Sequence, residues 1–364
     1  MSLKRFFTEL PDPRRDRTKE HDLIDILMIA IVAVICGADD WNMIEEFGKK
    51  KQSWLQSFLG LRNGIPSHDT FNRVFSMIDP QKFSTCFINW TNSICKLTDG
   101  EVISIDGKAL KGTAEPSKGK SCIYLVSAWA SENKMMLGQQ KVAEKSNEIT
   151  AIPSLLEVLV LKGCIITIDA MGCQTDIAQA IIAKEADYIL ALKGNQGLLH
   201  QQVQQSFEIE KPYESSTEID LGHGRIEKRT CSVISDLKWL DEPEKWIGLK
   251  TIIKIDSVFE EKSPGKISKD SRFYISSLEP NSTKINMAIR KHWLIENSLH
   301  WCLDVAFEED NSRIRKGFAD QNFALLRRIA LNLLKNDTTS KIGIKSKRII
   351  AGWDENYLSQ LLKI

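Results

Sequence analysis

The chain has no CxxC pair, no HExxH, no Cys/His spacing of a zinc module and no glycine-rich loop of Walker spacing. A structural zinc and an ATP-binding loop are therefore not expected. Its eight cysteines show no close pairing, and several sit in apolar runs such as Cys122–Val126 and Cys164–Ile168, where a reduced thiol acts as a small hydrophobe. The most apolar stretch, Ile26–Ala38, is 13 residues, short of the ~20 a membrane span needs. The amino terminus turns charged soon after Phe6-Phe7, with no apolar h-region. The expectation is a cytoplasmic protein with no membrane partner. Neither sign of charge is in excess: 49 basic and 48 acidic residues leave +1, so no overall field advertises an acidic partner. There is no internal repeat and no long low-complexity segment.

What is present is ordinary globular material: 364 residues, 42% hydrophobic and 27% charged. That is enough for two domains, or one with a large insertion, at roughly 150 residues each. Charge is segregated locally. Residues 311–350 carry ten lysines and arginines against Asp320 and Asp337, a net +8, which hints at phosphate binding but also fits a solvated helix face with a charged tail.

The periodicity divides the chain. Residues 1–97 read as helical, with an apolar, hence buried, helix over Asp22–Gly37, and Ser67 or Asp69 as a cap before Phe71. From Glu101 the rhythm is strand-like: Val102–Asp106, Ile123–Trp129 and Met135–Val142, then a helix capped by Asn147, strand Ile165–Asp169, helix Thr175–Lys184 and strand Tyr188–Leu192. This is an α/β (α+β) pattern. Residues 212–283 form a β-rich insertion with strands Thr230–Ile234, Lys250–Asp256 and Arg272–Ser277. Residues 284–364 return to strong helices, Ile285–Val305 and Asn322–Leu334, and the basic tail.

Two strands end alike. Val102, Ser104 and Asp106 share one strand face; Ile165, Thr167 and Asp169 share another. Taken singly, each aspartate also fits a turn cap. On the helix after the insertion, Ile285, Ile289, His292, Glu296, Leu299 and Leu303 fall on one face, which sets Glu296 in an apolar stripe. A buried carboxylate needs a cation or strong donors; His292 or His300, one turn away, can also pair with it. Together, two strand-end aspartates and a helix glutamate can hold two hard divalent cations, ~4 Å apart, for in-line phosphoryl displacement.

At these residues the chain resembles bacterial insertion-sequence transposases of the DDE class, in the H-repeat-associated branch. The resemblance spans nearly the whole length. It rests on Asp12-Pro-Arg14, Cys36-Gly-Ala-Asp39, Gly64-Ile-Pro-Ser-His-Asp69, Ile105-Asp-Gly-Lys108, Thr167-Ile-Asp-Ala170, Leu192-Lys-Gly-Asn-Gln196, Gly222-His-Gly-Arg225, residues 292–301 and residues 325–333, in that order and spacing. It implies a ribonuclease-H-like mixed sheet with flanking helices, a β-rich insertion before the last catalytic helix and a helical N-terminal, DNA-binding domain. It further implies Asp106, Asp169 and Glu296 as catalytic residues and ligands of two Mg²⁺ or Mn²⁺ ions. The partners implied are double-stranded DNA, as terminal inverted repeats and target, and a second copy in a homodimeric synaptic complex at the bacterial nucleoid. The family's basic pattern around the glutamate, Y-x2-R-x3-E-x6-K, is replaced here by Ile289, His292 and Leu303; Arg290, Lys291, His292 or His300 can substitute. Asp304 and Glu308-Glu309-Asp310 are rival ligands, though the latter run can pair with neighbouring cations.

Two further groups are candidate DNA contacts: His223, Arg225 and Arg229 in a hairpin of the insertion, and Lys193 and Asn195 after a strand. Plain turns explain both almost as well. The readings that compete with a transposase are a catalytically silent DNA-binding protein derived from one and a nuclease that only hydrolyses.

Overall fold

The structure, a computed structural model, describes residues 3–143, 146–222, 225–261 and 267–363. Its strands are β1 (Val102–Leu110), β2 (Ile123–Ala130), β3 (Met135–Lys141), β4 (Ile165–Ile168), β5 (Asp187–Leu192), β6 (Glu214–Gly222), β7 (Arg225–Ile234), β8 (Thr251–Glu261) and β9 (Ile267–Ser276). They form one sheet in the order β3-β2-β1-β4-β5-β9-β8-β7-β6. The first three strands are an antiparallel meander, and β4 and β5 join in parallel. Parallel neighbours need crossovers, supplied by the helices Glu148–Val158 and Thr175–Ala183. This is the ribonuclease-H-like order.

The strand-rich segment prolongs that sheet: β9 pairs antiparallel with β5, and β8, β7 and β6 follow. It holds four strands where the sequence suggests three. The unforeseen one, β6, is the polar stretch Glu214–Gly222, whose Ile219 and Leu221 are both exposed. An edge strand needs only its neighbour's backbone ladder, so it carries no apolar signature.

Strand alternation sends Ile103, Ile105, Ile166 and Ile168 into one core, shared with the helix Glu148–Val158, and Val102 and Ile165 into another, under the helix Ser282–His292. The first core runs on without interruption into the N-terminal helices. Leu23–Ile35 is buried at every residue except Ile24 and packs on the long helix Ala319–Asn336. Ser67 caps His68–Met77 through Thr70 N–H, and Asn147 caps Glu148–Val158 through Ile149 N–H. Among the described residues no helix is long and apolar enough to cross a membrane.

The basic segment 311–350 divides: Arg313, Lys316, Lys341 and Lys345 are exposed, while Arg327, Arg328, Lys347 and Arg348 are buried, which corrects both readings for those four. Arg327 and Arg328 are buried over Glu309, Lys347 is bonded to the Leu334 carbonyl and Asp337, and Arg348 to the Val34 carbonyl and Asp39. These cations satisfy carboxylates and helix-end carbonyls where the C-terminal helices enter the core, and so cannot meet a phosphate.

Gly317 ties this region to the N-terminal helices. Its φ is +52°, and a Cβ there would lie 2.5 Å from the Ser76 carbonyl oxygen, which accepts from Phe318 N–H. Gly317→Ala meets both a left-handed backbone and a backbone clash. It is expected to lose at least about 1–2 kcal/mol in denaturant unfolding; an unchanged midpoint contradicts the close approach.

Candidate active site

The parallel register between β1 and β4 places the two aspartates. Ile105 stands opposite Ile168, so Asp106 and Asp169 leave the shared ladder at the same level. β4 stops there. β1 does not: it continues against β2, with Asp106 opposite Ser127, as far as Leu110. The expectation that Asp106 terminates its strand is thus corrected; only the parallel ladder ends at it, because the antiparallel partner is longer. Asp169 opens a turn, its Oδ1 accepting from Met171 N–H at 3.0 Å and Gly172 N–H at 3.4 Å, while its Oδ2 has no hydrogen-bond partner among the described residues.

Glu296 comes from the other side. The helix expected over Ile285–Val305 is in three pieces: Ser282–His292, a turn at Trp293 with a π-wound stretch Glu296–His300, then Trp301–Phe307. A π turn adds a residue and resets the helical phase. Ile295 is therefore the buried residue and the Glu296 side chain is 55% exposed, which overturns its place in a buried apolar stripe. It looks into a cleft of about 640 Å³ that Asp106, Asp169, Lys193 and His292 also line.

His300, on the inner side of the π stretch, completes the group. Its Nδ1 is 3.5 Å from both Asp106 Oδ2 and Glu296 Oε2, and its Nε2 is buried without a partner among the described residues. Burial pushes the imidazole down to about 4, so it is neutral and able to ligate. Ligand atoms of Asp106, Glu296 and His300 all lie within 4.8 Å of one another. Burial pushes the Asp106 carboxyl up to about 8, with Glu296, Glu148 and Asp169 adding to the effect. Carboxylates crowded this way, with a neutral nitrogen and no lysine or arginine in ion-pair contact among the described residues, suit a hard divalent cation.

A pH dependence follows. The folded Asp106 value lies above the 3.8 of a free aspartate, so folding favours its protonated form. That contribution is complete below about pH 4 and is lost as pH rises through about 8. In chelator, Asp106→Asn is expected to melt a few degrees above wild type at about pH 9 and level with it at about pH 4. A variant that melts lower at both pH values contradicts this electrostatic origin.

The candidate DNA contacts fare unequally. Lys193 is exposed at the cleft and makes no ion pair among the described residues. Asn195 instead donates its amide to the Ala170 carbonyl, bracing the turn after Asp169. His292 is half-buried, 3.0 Å from the Thr167 hydroxyl, which donates to Ser104; burial lowers its pKa. It pins the helix to β4 and carries no charge. Arg290 is paired with Asp220, Lys291 with Glu132, and Arg229 with Glu227. Leu303 is buried. His223 lies outside the described residues, as does the side chain of Arg225. Of the rival ligands, Asp304 and Asp310 are held by Lys108, and Glu309 by Arg328. Sequence reading missed Glu148 and the ligand role open to His300; the alternation that flagged the aspartates also carried Ser104 and Thr167.

A ribonuclease-H-like sheet with acidic side chains gathered where its central parallel strands end defines the class. The chain matches the family described as "Transposase DDE domain" over residues 97–333 and "DDE_Tnp_1-associated" over residues 4–91, and it belongs to this DDE transposase family. It is 43% identical to "Putative transposase YncI" of Escherichia coli O157:H7, over 99% of this chain and 94% of that one. It is 42% identical to "H repeat-associated putative transposase YhhI" of Escherichia coli K12, over 100% and 98%.

Proposed function

We propose that this chain cuts DNA at the ends of an insertion sequence and joins the freed 3′ ends to target DNA. The observation that carries the reading is the juxtaposition of Asp106 and Asp169 at matched register with Glu296 facing them across a solvent-open cleft. Asp106 and Asp169 would hold two Mg²⁺ or Mn²⁺ ions from the sheet, and Glu296 would close the set from the helix, with His300 beside it. Held there, such a pair of ions would supply activation of the attacking oxygen and stabilisation of the leaving one. Water attacks in cleavage and a 3′ hydroxyl in strand transfer. Lys193 meets a backbone phosphate at the cleft, while residues 1–97 and 212–283 grip the DNA ends and two copies pair them in a homodimeric synaptic complex.

The test is a gel assay of the full chain on labelled DNA carrying the element's own ends, with Mg²⁺ or Mn²⁺ and a chelator control. Metal-dependent cuts at the end boundary plus joined products support the reading. Nicks without joining identify a nuclease, and binding without cutting a silent DNA-binding protein; either result overturns it.

A further inference from the structure

One buried acid near the site has no part in the three-carboxylate scheme. Glu148, the first residue of the helix Glu148–Val158, is 8% exposed. Its hydrogen-bond partner is the Tyr124 hydroxyl, and among the described residues no basic nitrogen lies in ion-pair range of it. A helix N-terminus favours a carboxylate, but only in part offsets so complete a burial.

Gly107 explains how the carboxylate reaches the sheet. A Cβ on Gly107 would lie 2.2 Å from Glu148 Oε1 and 2.6 Å from Tyr124 Cε1. Glu148 therefore rests against strand backbone one residue beyond Asp106. The turn that Asp169 opens packs on the same helix: a Cβ on Gly172 would lie 3.1 Å from Ile152 Cδ1. Glu148 thus comes in from the sheet face opposite the Glu296 helix, against the strand that carries Asp106, on the helix that the turn after Asp169 also packs on.

We infer that Glu148 is a fourth carboxylate of the cation-holding set, a positioning residue on the side of the site away from Glu296. The inference rests on the divalent-cation reading proposed above. Charge supports it: two divalent cations bring four positive charges, and Asp106, Asp169 and Glu296 supply three negative ones. Glu148 supplies the fourth from a place no lysine or arginine of the described residues neutralises.

The test is Mn²⁺ titration of the full-length protein by calorimetry, alongside cleavage measured against Mn²⁺ concentration. Wild type is expected to take up two Mn²⁺. Glu148→Gln, which keeps the bond to Tyr124, is expected to weaken one of the two at least about tenfold. Its lost cleavage should recover as Mn²⁺ is raised, which a merely structural defect would not do. Glu148→Asp, with the charge kept on a shorter arm, serves if the glutamine variant fails to fold, and should show the same weakened uptake. Two Mn²⁺ bound at wild-type affinity by the folded variant overturns the inference. No Mn²⁺ bound by wild type overturns the cation reading of the whole site, and the inference with it.

Discussion

Asp169→Asn is expected to lower metal-dependent DNA cleavage by at least about 10³-fold, beyond the roughly 10–100-fold typical of losing an outer partner of a metal ligand. The fold should hardly notice. Asparagine keeps the oxygen that accepts from Met171 and Gly172 N–H, and it caps as well as aspartate. What disappears is the charge, and with it the anionic oxygen that Oδ2 presents next to Asp106. Asp169→Ala separates the two roles: it removes cap and charge together and should also cost about 1 kcal/mol of stability. Paired cleavage gels and thermal melts check both. Cleavage by Asp169→Asn within tenfold of wild type would remove Asp169 from the site.

The largest expected loss of stability lies elsewhere. Glu309 is fully buried, with both of its oxygens bonded by Arg328 and Arg327 Nη1 at 3.9 Å. Arg327 lies over the Phe323 ring at 4.4 Å, and its Nε and Nη2 have no partner among the described residues. Glu309→Gln leaves two buried guanidinium groups without a counter-charge, which is expected to cost about 3–5 kcal/mol. Arg327→Met removes the less well bonded cation and should cost far less, since one arginine still neutralises Glu309. Burial opposes ionisation of Glu309, but Arg328 outweighs it and the pKa is lowered. Its contribution is therefore present above the ordinary glutamate value of 4.5 and lost as pH falls below it. Urea unfolding at neutral pH decides the matter: equal losses in the two variants would mean that packing, not charge, holds this corner.

The same residues explain why the acidic run 308–310 was ambiguous in sequence. Glu309 precedes Arg313 and Arg315, yet its partner is Arg328, nineteen residues on. Ion pairing across elements leaves no periodic trace. Glu148 was hidden differently. An acid directly after the cap Asn147 reads as ordinary helix-terminus chemistry, and only the empty Cβ position of Gly107 shows where its carboxylate goes. Glu296 illustrates a third limit. Regular 3.6-residue spacing put it in a buried stripe, while the π stretch from Glu296 to His300 turns it to solvent and sends Ile295 inward. Arg229 and Arg290, sensible phosphate ligands by residue type, are occupied by Glu227 and Asp220.

Local pattern determined a good deal unaided. Alternation in Val102–Asp106 and Ile165–Asp169 marked two strands and put each aspartate on a defined face, because side-chain direction in a strand depends on nearest neighbours alone. The caps at Ser67 and Asn147 and the buried helix Leu23–Ile35 followed from equally short-range rules. What the sequence could not decide was anything fixed by register between distant segments. The Ile105–Ile168 pairing that levels Asp106 with Asp169, the extension of the sheet through β9 to β6, and the gathering of His300 and Glu148 around Asp106 are all set by tertiary structure. They depend on which backbones pair and which cores fill, energies summed over contacts far apart along the chain.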